Sequence, residues 1–128
     1  MICVPIVGPT LKQALEDIRE SGKFADILEL RLDLIDDPDI RVLLKTADND
    51  NKPCIVTNRT KLEGGQFKGS DEERVAALRQ AIDLGADYID IEAATPSPLL
   101  RPILETKGKT KTILSYHHFS LTPDNLES

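Results

Sequence analysis

The sequence predicts a parallel α/β fold. Three observations carry that expectation: five short β-rich runs, helix start signals between them, and polar residues gathered at the carboxyl ends of the runs. The runs are "ICVPI" (2–6), "DILELRL" (26–32), "PCIVTNR" (53–59), "DYIDIE" (87–92) and "KTILSYH" (111–117). Their starts lie 24, 27, 34 and 24 residues apart, which leaves room for one helix each time. Strand–helix alternation at this period gives parallel strands joined by right-handed crossovers.

The elements between the strands announce their ends. After the first run, Thr10-Leu11-Lys12-Gln13 has the form of a capping box, in which hydroxyl and third side chain satisfy free amides reciprocally. Leu11, Ala14, Leu15 and Ile18 then form one apolar stripe, and Gly22 supplies a left-handed terminator. After the second run, Asp37-Pro38 sets a capper before a proline, whose missing N–H costs nothing at the first helical position. After the third comes "RTKLEGGQFKGS" (59–70), readable as a mobile flap over the carboxyl edge or as a solvated surface loop. Ser70-Asp71-Glu72-Glu73 is a second capping box, with Val75, Leu78 and Ile82 as its apolar stripe and Gly85 as its terminator. Ser97-Pro98 and Thr122-Pro123 repeat the capper–proline signal.

An open parallel sheet would need protection at both edges, whereas a closed (β/α)8 barrel typically takes about 250 residues. The expectation is one domain, 1–128, of five β/α units, about half of such a TIM barrel, with an open parallel sheet as the alternative. Completing it would take a further barrel segment or a second subunit.

Composition narrows the function. At 40% hydrophobic and 30% charged, the chain can bury a core. A net charge of −6 argues against a broad nucleic-acid surface and favours a small-molecule or protein partner. No basic leader with a long apolar stretch and no 18-residue apolar run occurs, so neither secretion nor a membrane span is expected. Cys3 and Cys54 sit singly in apolar runs, which reads as two buried free thiols in a reducing cytoplasm.

The chemistry lies at the strand ends. Residues two apart on a strand share a face, and four runs end in a polar pair at that spacing: Glu29 and Arg31, Thr57 and Arg59, Asp90 and Glu92, Ser115 and His117. The intervening Leu30, Ile91 and Tyr116 would point toward helices, with polar Asn58 the exception. Parallel α/β folds place their active sites at this carboxyl edge. Ion pairs filling a barrel mouth, or a solvated sheet face, are the plainer reading of any single pair. No P-loop, dinucleotide fingerprint, metalloprotease helix or nucleophile elbow is present. His117 and His118 are adjacent, so on a strand they would face opposite sides, which argues against a metal site.

"ELRLDLI" (29–35), "TNRTKLEGGQF" (57–67), "DYIDIE" (87–92) and "SYHHFSLTP" (115–123), after the opening "ICVPIVG", resemble type I 3-dehydroquinate dehydratase in order and spacing along the whole chain. The resemblance implies an eight-stranded α/β barrel of the shikimate pathway that converts 3-dehydroquinate to 3-dehydroshikimate with no metal or organic cofactor. It implies His117 as general acid–base and Glu92 as the carboxylate that orients it. Glu29, Arg31 and Arg59 would bind the substrate, and His118, where the family commonly has Asp or Asn, would be structural. In that family a lysine on the sixth strand forms an imine with the substrate ketone; this chain holds no counterpart of that strand. Fusion ahead of shikimate dehydrogenase is a further implication. A non-catalytic ligand-binding half barrel, or another Schiff-base lyase or aldolase on the same scaffold, stays open as an alternative.

Overall fold

The structure, a computed structural model, describes residues 1–106 and 108–116. Five strands alternate with four helices: β1 (Cys3–Ile6), α1 (Leu11–Ser21), β2 (Ile27–Arg31), α2 (Ile40–Asn49), β3 (Cys54–Thr57), α3 (Asp71–Asp83), β4 (Tyr88–Glu92), α4 (Ser97–Leu104) and β5 (Lys111–Ser115). Short 3-10 turns follow β2 at Leu32–Leu34 and β3 at Lys61–Glu63. All four strand pairings are parallel and run in chain order, β1-β2-β3-β4-β5. This is the succession of the first five units of an α/β barrel.

Register stacks residues in rows across the sheet. Leu30, Val56, Ile89 and Thr112 form one row, and Arg31, Thr57, Asp90 and Ile113 the next. Strand alternation sends the first row to the helices and the second to the opposite, helix-free face. Ile6, Leu28, Leu30, Val56, Ile89 and Ile91 are accordingly buried against Ala14 and Ile18 of α1, Leu43 and Ala47 of α2, Leu78 and Ala81 of α3, and Ile103 of α4. Each fully buried aliphatic side chain contributes about 1.5–3 kcal/mol relative to exposure.

Local signals were read unevenly. Ser70 forms a complete capping box with Glu73. Thr10 accepts from the Gln13 amide, but the Gln13 side chain turns to Asp17 instead of returning to the cap. Asp37 does not cap α2: it has a positive φ of 44°, and Asp39 accepts from Val42 N in its place. Pro38 therefore lies before the helix. Ser97 is already helical, and Pro96 precedes it without a side-chain cap. Gly85 is left-handed as expected, at φ +89°, but Gly22 ends α1 in right-handed geometry. What Gly22 provides is room, because a Cβ there would sit 3.0 Å from Asp50 Oδ2. Thr122-Pro123 lies outside the described residues.

Two burial expectations also change. Cys54 is buried, but Cys3 is exposed, because edge strand β1 turns it to the helix-free side. Tyr116 is 68% exposed. No helix among them is long and apolar enough to cross a membrane.

Candidate active site

The helix-free face carries its polar groups where the pairing spacing put them, and they are knitted together. Thr57 Oγ1 donates to Glu29 Oε2 at 2.7 Å, joining β3 to β2. Arg59 Nη2 donates to Asp90 Oδ1 at 2.8 Å, and Ser115 Oγ reaches the same oxygen at 2.7 Å. Asp90 thus gathers the ends of β3 and β5 around β4. These side chains are only partly exposed, so the bonds form in a medium less screening than water.

Arg31 is held differently. Its Nε and Nη2 fork onto the two oxygens of Asp33, at 3.1 and 2.8 Å. The paired hydrogen bonds that Arg31 donates to Asp33 raise its pKa, which burial alone would lower; the guanidinium is a fixed cation. Asp33 Oδ2 also accepts from the Gln66 amide at 3.1 Å, so this carboxylate ties the end of β2 to the loop after β3.

That loop is folded down. Gly65 N donates to Thr60 O at 2.7 Å and Phe67 N to Arg59 O at 3.0 Å, closing it back on its own root. Gly64 takes the left-handed conformation at φ +88°. Gly65 packs flat against Arg59, where no Cβ would fit. These contacts tether the loop to Asp33 and to its own root.

Glu92 has partners that sequence reasoning missed. Its Oε1 accepts from Arg74 Nη1 at 2.6 Å, and its Oε2 from the Thr60 amide at 3.1 Å. Both side chains of the Arg74–Glu92 pair are almost wholly buried. Arg74 Nη2 further donates to Thr95 Oγ1 and to Asp71 Oδ1. Asn58, the polar exception, is buried on the helix side and donates to the Arg74 carbonyl at 3.5 Å. Beside the pair lies a cavity of about 110 Å³ lined by Thr60, Glu63, Asp71, Arg74, Glu92 and Thr95 among others. Glu63 is buried there, and its Oε1 has no hydrogen-bond partner.

The sequence held a signal for Arg74. It precedes Leu78 by four and Ala81 by seven, the buried face of α3. Asp33 and Glu63 lay inside quoted motifs without being singled out. Glu29, Arg31, Arg59 and Glu92 are brought to one edge, while His117 and His118 lie outside the described residues. Arg59 Nε is buried and without a partner, a donor left over once Asp90 is satisfied. Among the described residues no group of three or more His, Cys, Asp or Glu is arranged to hold a metal ion.

The model of the family described as type I 3-dehydroquinase matches residues 2–128. This chain belongs to that family. It is 43% identical over 126 residues to a 3-dehydroquinate dehydratase of Methanobrevibacter smithii, covering 96% of this chain and 54% of that protein. It is 40% identical over 129 residues to that of Methanococcus vannielii, covering 97% and 56%. A bifunctional 3-dehydroquinate dehydratase/shikimate dehydrogenase of Arabidopsis thaliana is 36% identical over 96% of this chain and 21% of its own. Among solved structures, the 3-dehydroquinate dehydratase of Aquifex aeolicus superposes with TM-score 0.73 at 29% identity, covering 99% of this chain and 57% of that one. The dehydroquinate dehydratase and shikimate dehydrogenase protein of S. pombe gives 0.76 at 26%, covering 93% and 25%. The chain therefore spans about half the length of the single-function type I 3-dehydroquinases it matches.

Proposed function

We propose that this chain supplies the acid–base side of a 3-dehydroquinate dehydratase site. The observation that carries the reading is the convergence of Glu29, Arg31 and Arg59 at one carboxyl edge, with Arg59 Nε left as an unpaired donor. The substrate is a small carbocyclic acid bearing hydroxyls, a ketone and a carboxylate. Glu29 accepts from a ring hydroxyl, and the guanidinium groups of Arg31 and Arg59 donate to its oxygens. Each already has a protein partner, so the groups are pre-oriented before substrate arrives.

The chemistry joins two parts of a barrel. A lysine from the remaining segment condenses with the substrate ketone, and water leaves as the protonated imine forms. The imine withdraws electrons, so the adjacent C–H becomes acidic. His117, which the family resemblance assigns as the acid–base, removes that proton. The enamine electrons then expel the neighbouring hydroxyl, which takes a proton from the histidine and departs as water. Hydrolysis of the imine frees 3-dehydroshikimate and restores the lysine. No metal or organic cofactor enters this sequence of steps, and turnover needs the imine-forming lysine. The natural context is a cytoplasmic enzyme of the shikimate pathway, in keeping with two unpaired thiols, either alone or fused to shikimate dehydrogenase.

Glu92 is our candidate for the carboxylate that orients His117. A second candidate is favoured by a specific observation: both Glu92 oxygens are engaged, whereas Glu63 Oε1 in the same cavity is free. Dehydration of 3-dehydroquinate, followed by the ultraviolet absorbance of the conjugated product in a barrel completed with the lysine segment, tests the reading. Glu92→Gln and Glu63→Gln compared in that assay identify the orienting group. An assembled barrel that binds but never dehydrates this substrate removes the proposal.

A further inference from the structure

We propose that Arg74 is a positioning residue that sets the root of the loop after β3, and through it Arg59, relative to the sheet. The inference rests on the dehydratase reading only in naming Arg59 as a substrate contact. Arg74 leaves α3 and is almost wholly buried. Burying a guanidinium costs several kcal/mol of desolvation unless its partners are well placed, and an apolar replacement of such a pair is often neutral or better for stability. Arg74 keeps the charge, and even leaves its Nε without a partner.

What the charge does is visible in the chain of contacts. Arg74 Nη1 fixes Glu92 Oε1 at 2.6 Å, and Glu92 Oε2 takes the Thr60 amide at 3.1 Å. Thr60 adjoins Arg59 and its carbonyl is also the acceptor for Gly65 N, so the loop's closure is registered on the same residue. The other nitrogen, Nη2, is anchored to Thr95 in the turn after β4 and to Asp71 in the first turn of α3. One planar fork therefore references a loop peptide to a strand end and a helix start at once. A lysine, with a single nitrogen, cannot hold that geometry.

The test is amide hydrogen exchange of the protein without substrate, comparing Arg74→Met and Arg74→Lys with the parent. A merely structural role lowers global stability and speeds exchange everywhere. Positioning predicts at least a tenfold acceleration at Thr60, Gly65 and Phe67, with Leu30 and Val56 in the core strands unchanged. Should the methionine variant not fold, because Glu92 is left buried and unpaired, the lysine variant decides with the same local pattern. Uniform acceleration, or loop amides as protected as in the parent, overturns the proposal. Because no turnover is read, either result stands apart from whether the protein is a dehydratase. In the completed barrel the same variants are expected to raise KM with less change in kcat.

Discussion

Gly65→Ala is a perturbation whose size can be read from the structure. A Cβ at Gly65 would lie 2.1 Å from the Arg59 carbonyl oxygen, 2.4 Å from its carbonyl carbon and 2.5 Å from its Cβ. All three neighbours are backbone or Cβ, so no flexible side-chain tip can swing away. Restoring ordinary contact requires the two strips of chain to part by roughly 1 Å, as in other overpacked sites. The bonds from Gly65 N to Thr60 O and from Phe67 N to Arg59 O span that seam and must lengthen. Overpacking of this kind costs about 1–3 kcal/mol. A displacement of about 1 Å at a substrate-positioning group can cost on the order of 10²-fold in rate. Urea denaturation checks the first figure, and kcat/KM in the completed barrel checks the second. Gly85→Ala is the control: no atom lies within 4 Å of its Cβ, but φ is +89°. That variant should lose about 1–2 kcal/mol to left-handed strain with substrate handling intact. If Gly65→Ala is as stable and as active as the parent, the tethered-loop description is wrong.

His117→Ala should reduce turnover by about 10²–10⁴-fold with little loss of ligand binding; His118→Ala should be mild, and Glu92→Gln intermediate, which single-turnover rates of the three variants will rank. Iodoacetamide should label Cys3 in the folded protein and spare Cys54 until unfolding, as mass spectrometry of the two peptides would record. Burial first, then the Asp87 and Asp48 charges, push the Cys54 thiol up to about 12 from an ordinary value of 9.0. The folded state therefore keeps a proton that the unfolded chain sheds, so this contribution to stability is full below about pH 9 and is lost as pH rises toward 12. Cys54→Val should flatten that alkaline loss in denaturation curves taken across the window.

The strand order and the polar edge were legible because strands obey a period of two and parallel sheets keep chain order. Glu29, Arg31, Arg59 and Glu92 could be assigned to one face before any coordinates were known. Their partners could not. Asp33 meets Arg31 only because a 3-10 turn follows β2, and turn geometry leaves no periodic mark. Arg74 was passed over since an arginine beside an apolar stripe usually lies in water; here its head turns inward to Glu92. Capping failed where two acceptors competed, as at Asp37 and Asp39, and where Gln13 found Asp17 instead of its own cap. Cys3 was misjudged because its apolar neighbours say nothing about which face of β1 is covered.

The central claim, that His117 drives dehydration within a Schiff-base site, is tested most directly by borohydride trapping. The measurement uses His117→Ala in a barrel completed with the lysine segment, with 3-dehydroquinate added and the protein mass followed over time. The account predicts a reduced covalent adduct of the undehydrated substrate, formed more slowly than in the parent, and almost no 3-dehydroshikimate. Product appearing at the parental rate, or no adduct with either protein while product still forms, would contradict it.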